Sequence, residues 1–69
     1  MKQLFMVKYQ IEDRGIAYPQ TLEEISIDKG KTLEQVLRKK LNTYRHAMDL
    51  TKNFTIEIIS YYQTGWSKN

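Results

Sequence analysis

Apolar positions alternate with polar ones near the start of the chain, recur at helical spacing in its middle, and crowd both faces of its last long stretch. From Leu4 to Ile11, residues Phe5, Val7, Tyr9 and Ile11 fall on one side and Leu4, Met6, Lys8 and Gln10 on the other, which is the period of a strand. Glu12 to Gln20, with Gly15 and Pro19, breaks that pattern and reads as an irregular connection. Over 21–28, Ile25 and Ile27 share a side opposite Ser26 and Asp28, and the acidic residues suit an exposed edge strand.

Asp28-Lys29-Gly30-Lys31 then reads as a turn, after which the period changes. Leu33, Val36, Leu37, Leu41, Tyr44, Ala47 and Met48 recur at intervals of three and four, which predicts one amphipathic helix over 32–49. Thr32 followed by Gln35 is the spacing of a capping box. At ~1.5 Å per residue the helix would run roughly 25 Å, enough to lie across a small sheet. A last strand is expected over 54–63, followed by a short tail over 64–69.

The order strand, strand, helix, strand predicts one α+β domain over 1–69. It is a β-β-α-β arrangement, with a three-stranded, mainly antiparallel sheet and one long helix packed on one face. A competing reading makes 21–28 a short helix, because Thr21-Leu22-Glu23-Glu24-Ile25 echoes Thr32-Leu33-Glu34-Gln35-Val36. A helix-turn-helix would then take Leu22, Ser26, Gly30 and Val36 into its pattern. Lys39 falls where that motif wants an apolar residue, and Ile25-Ser26-Ile27 suits a strand better.

The last strand is where the pattern becomes functional. Phe54, Ile56, Ile58 and Tyr62 share one side, and Ile59 and Tyr61 share the other. A single helix buries one side only. Leu4 and Met6 from the first strand and Trp66 from the tail join Ile59 and Tyr61 on the side left over. These five residues, Leu4, Met6, Ile59, Tyr61 and Trp66, are the expected contact surface for another protein or a second copy, since aromatic, aliphatic and methionine side chains anchor interfaces.

Size strengthens that expectation. A chain of 69 residues buries only ~60% of the surface its unfolded form exposes. With no cysteine there is no disulfide framework and no thiolate metal site, so association is a natural source of further burial. The N-terminal apolar run stops at Lys8, too short for a signal peptide core or a bilayer span, and a cytoplasmic location is expected.

Charge supplies the alternative. The net charge of +3 conceals a basic middle: 1–28 holds three basic side chains against five acidic, whereas 29–53 holds seven against two. On the expected helix, Arg38, Lys39, Asn42, Arg45 and His46 face away from the apolar stripe and make a candidate nucleic-acid surface. Glu34 four residues before Arg38 and Asp49 four after Arg45 are expected to pair with those arginines, leaving an ordinary solvated face. Lys40 is expected to stretch its stem over the core edge toward water.

Catalytic chemistry has little to draw on. One histidine, no nucleophile motif, no ligand spacing and three isolated glycines give no catalytic residues, no metal site, no cofactor and no small-molecule substrate. Glu23 and Glu24 would point apart on a strand. The size and plain layout are similar to those of small accessory proteins of phages and mobile elements, inhibitors of host defence among them. That likeness covers length and architecture, with no diagnostic motif. The expectation is a non-enzymatic interaction module, a regulator or inhibitor that self-associates through its exposed sheet face, with nucleic-acid binding through the helix as the alternative.

Overall fold

The computed structural model describes residues 2–67. Four strands and one helix follow in the order β1 (Lys2–Asp13), β2 (Ile16–Ala17), β3 (Thr21–Ile27), α1 (Leu33–Thr43) and β4 (Thr55–Ser67). All strand pairs are antiparallel and all include β1. β1 therefore lies at the centre, with β4 along one side and β3 and the short β2 along the other. The connection from β3 through α1 to β4 carries the chain across β1 to the opposite edge, as the helical crossover between parallel strands requires.

The expected irregular connection over 12–20 is instead a tight hairpin. Arg14 and Gly15 form its two-residue loop, and both have positive φ, 55° and 75°. That is the requirement of a type I′ turn, whose twist matches that of the flanking strands. The outcome is the fourth strand, β2, registered against Glu12 and Asp13. The segment 21–28 is a strand, as its alternation predicts.

The helix starts where expected and stops earlier. Thr32 Oγ1 accepts from the Gln35 amide at 3.2 Å, and Gln35 Oε1 accepts from the Thr32 amide at 3.0 Å. This reciprocal box satisfies donors that no helical carbonyl reaches. The helix ends at Thr43 rather than near Asp49, and Tyr44 departs from helical geometry with φ −102° and ψ 11°. One further turn follows. The Met48 amide donates to Tyr44, that of Asp49 to His46 and that of Leu50 to Arg45. The last two bonds, with Asp49 at φ 58°, form a Schellman motif. The apolar spacing runs on through Met48 because this turn keeps pointing Met48 at the core after α1 has ended.

The core lies between the sheet and α1. Val7, Tyr9, Ile11, Ile25, Ile27, Leu37, Leu41, Leu50 and Phe54 are buried, with Phe5, Tyr18, Leu33, Val36, Met48, Ile56 and Ile58 packed around them. Leu37 and Val7 are wholly inaccessible. Lys40 is exposed, as expected, and its Nζ also lies 3.0 Å from Glu23, which accepts from the Tyr9 hydroxyl at 2.6 Å. Glu24 points the other way, where Thr64 Oγ1 donates to it across β1 at 3.1 Å.

Candidate interaction surface

Two register shifts decide which side chains of β4 face the helix. Opposite residues of an antiparallel pair share a face. Tyr9 faces Ile58 and Lys8 faces Ser60, so Ile59 is an extra residue; Phe5 faces Gln63 and Leu4 faces Gly65, so Thr64 is another. Each is a β-bulge, and each inverts the alternation that follows it. Beyond Ile59, Tyr61 lies opposite Val7 on the helix side, whereas Tyr62 lies opposite Met6 on the outer side. Trp66 lies opposite Gln3, again on the helix side.

The five residues expected to make one contact surface are thereby divided. Leu4 and Met6 do lie on the outer face, but both are half-buried. Ile59 sits on the bulge and is 40% exposed. Tyr61 and Trp66, each 59% exposed, belong with the helix side, and Tyr62, 62% exposed, takes the outer position expected for Tyr61. The apolar run from Ile56 to Tyr62 is broken only by Glu57 and Ser60, and it leaves no alternation from which a bulge could be detected.

The helix-side placement creates a site. With eleven residues, α1 is too short to cover the whole sheet, and its N-terminus stops near Leu33. Beyond it the helix side of β1, β3 and β4 stays open. A cleft of about 430 Å³ is lined there by Gln3, Phe5, Ile27, Leu33, Ile58 and Tyr61, with Lys31 and Thr32 at its rim. A second, of about 460 Å³, shares Gln3 and Ile27 and brings in Trp66, Lys29 and Gly30. Phe5 and Tyr61 meet edge to face, with ring centres 6.0 Å apart and planes at 64°. That geometry suits aromatic quadrupoles and holds the Tyr61 ring against the cleft floor. The result is a pair of adjoining clefts, open to solvent, with apolar floors and Lys29 and Lys31 among the residues that line them.

The basic candidates are scattered by the early end of the helix. Arg38 is half-buried: its Nη1 donates to the Phe54 carbonyl at 3.2 Å and its guanidinium lies 4.8 Å above the Phe54 ring centre. It does not make the expected pair with Glu34. Asp49 joins Arg14, at 3.6 Å, rather than Arg45. Arg45 is half-buried and His46 exposed, both on the turn after α1, while Lys39 and Asn42 remain exposed on the helix. The five residues do not form one helical face.

Two polar clusters stabilise the frame. The Asp13 side chain is buried, 1% exposed, and accepts from the amide and hydroxyl of Thr51 at 2.8 and 2.6 Å. The Thr51 hydroxyl, then its amide, together with neighbouring Arg14, hold the Asp13 carboxyl below its ordinary range against the opposing effect of burial. Burial, then the hydrogen bond to Glu23, pushes the Tyr9 hydroxyl well above its ordinary value. Both are structural anchors, and neither Asp13 nor Tyr9 lines the cleft. Among the described residues no three His, Asp or Glu side chains gather as a metal site, and no helix is long and apolar enough to cross a membrane. No protein-family model, no curated protein and no solved structure matches the chain.

Proposed function

We propose that this chain is a small non-enzymatic protein–protein interaction module, a regulator or inhibitor that acts by contact. The observation that carries the reading is the uncovered end of the helix-side face, where Phe5, Ile27, Ile58, Tyr61 and Trp66 line two adjoining open clefts beside an edge strand. Aromatic groups half in contact with their own fold and half in water are the usual anchors of an interface. The contact surface is therefore assigned to this cleft and to β4, rather than to the outer sheet face. A cytoplasmic site of action belongs to the same proposal, since a fold without cysteine draws nothing from an oxidising compartment.

Binding to nucleic acid receives less support from this arrangement, because Arg38 is engaged by Phe54 and Arg45 is half-buried. The test is capture of binding partners from the native host by the tagged chain, with Tyr61→Glu/Trp66→Lys in parallel. The double variant should fold, keep its circular dichroism spectrum and lose the captured protein. A captured set unchanged by both substitutions would remove the cleft from consideration.

A further inference from the structure

The outer edge of β4 has a property that the opposite edge lacks. From Ile58 to Ser67 ten consecutive residues include no Asp, Glu, Lys, Arg or Pro. Exposed edge strands of monomers discourage further pairing with charges, lysine above all, or with proline. β3 obeys this rule through Glu23 and Glu24. β4 carries no such charge or proline there, its two bulges leave Ser60 to Gln63 as the regular stretch of the edge, and among the described residues no strand pairs with its outer side. The accessible surface is 5080 Å², against roughly 4,600 Å² for a compact monomer of 8.3 kDa. The surplus accompanies an elongated shape of 37 × 20 × 18 Å.

We propose that β4 pairs antiparallel with β4 of a second copy, about a two-fold axis at Tyr62. This rests on the interaction-module reading and names its partner. A neutral strand meets its own copy without like-charge repulsion, and it offers a charged partner strand nothing to pair with. The two-fold axis of such a pair is perpendicular to the sheet, so like faces adjoin and both helices lie on one side. Opposite residues must share a face, and the axis therefore passes beside a residue that faces its own copy. The regular segment between the two bulges is Ser60 to Gln63. Within it the Tyr61 ring is engaged by Phe5, whereas Tyr62 is exposed and has no ring partner among the described residues. An axis at Tyr62 places the two Tyr62 rings side by side. It also carries Trp66 of each copy toward the Ile58 end of the other's cleft.

The position facing its own copy gives the test. Light scattering of the wild type should report a mass near twice 8.3 kDa. Tyr62→Lys alone and Tyr62→Glu alone should each run as single chains, since like charges then meet across the axis. Their equimolar mixture should recover the doubled mass. Because the chain has no cysteine, oxidised Tyr62→Cys should also give a disulfide-linked pair, and Lys8→Cys should not. A wild type that stays monomeric at every concentration overturns the self-pairing, while the cleft substitutions still decide independently whether the chain is an interaction module. A dimer that survives both charged variants, or a mixture that fails to reassociate, overturns the pairing at Tyr62.

Discussion

Arg14 Nη2 donates a 2.7 Å hydrogen bond to the main-chain carbonyl of Asp49, and these two are the non-glycine residues with left-handed backbone among those described, at φ 55° and 58°. The bond joins the β1–β2 hairpin loop to the Schellman turn that follows α1. Each left-handed residue costs ~1–2 kcal/mol against ordinary backbone. The carbonyl, rather than the carboxylate, is what Arg14 needs. The Asp49 side chain is 93% exposed, and an ion pair there contributes little.

Asp49→Gly should therefore keep the Arg14 bond and relieve the strain, raising stability by about 0.5 kcal/mol after the greater freedom of the unfolded chain is offset. Asp49→Val, β-branched at the same backbone angle, should lower it by about 2 kcal/mol. Urea denaturation of the pair decides the matter. A stabilised valine variant would contradict the account of the turn.

Asp13 sets the acid limit. Its carboxyl is held below the ordinary value of 3.8, so the ionised form is favoured by folding. The stability this adds is complete above the unfolded value and is lost as pH falls through the folded one. Stability measured from neutral pH downward should thus decline in the region below about pH 4. Thr51→Val, which removes the hydroxyl that donates to Asp13, should flatten that decline and lower stability at neutral pH.

Tyr9 behaves in the opposite sense. A hydroxyl whose ionisation is raised in the fold adds stability below its ordinary value of 10.0 and loses it as pH rises through the folded value. Of the chain's five tyrosines, one should resist ionisation until the fold itself opens, as read by ultraviolet titration. Tyr9→Phe should abolish that late component and cost about 1 kcal/mol for the lost bond to Glu23.

Arg38 separates a structural role from nucleic-acid recognition. Its contact with the Phe54 ring and carbonyl predicts that Arg38→Ala lowers stability by about 1–2 kcal/mol. Arg38→Lys should restore only part, since lysine lacks the planar guanidinium that lies over the ring. If thermal melts of both variants coincided with the wild type while salt-sensitive binding to an oligonucleotide disappeared, the recognition role would be correct instead.

How far these features were legible follows from what each leaves in the pattern. The alternation of Phe5 to Ile11 in β1 and of Ile25 to Ile27 in β3 is in the sequence, and the structure turns those shared sides toward the helix as read. The capping box at Thr32 was legible because two side chains at fixed spacing make it. Two things left no mark. An extra residue at Ile59 sits within a mostly apolar run, where inversion exchanges Tyr61 for Tyr62 without disturbing hydrophobicity. The break at Tyr44 is bridged by a turn that keeps Met48 inward, so periodicity passes straight through it. The cleft followed from the first of these: the sheet extends past the N-terminus of α1 at Leu33, and the inverted register turns Tyr61 toward that open end.

The register of β1 with β4 has a kinetic side as well. Its rungs run from Lys2 with Ser67 to Glu12 with Thr55, so every one closes a loop of more than forty residues. Such distant pairing makes folding slow relative to a helical chain of this length, because loop entropy is lost before contact is gained. α1, with eleven residues, gains most of its stability only once it packs on the sheet. Until β1 and β4 meet, the central strand lacks one neighbour and the neutral strand lacks any. Refolding yield should therefore fall as protein concentration rises, with Ile58 to Ser67 as the segment through which unfinished chains find one another.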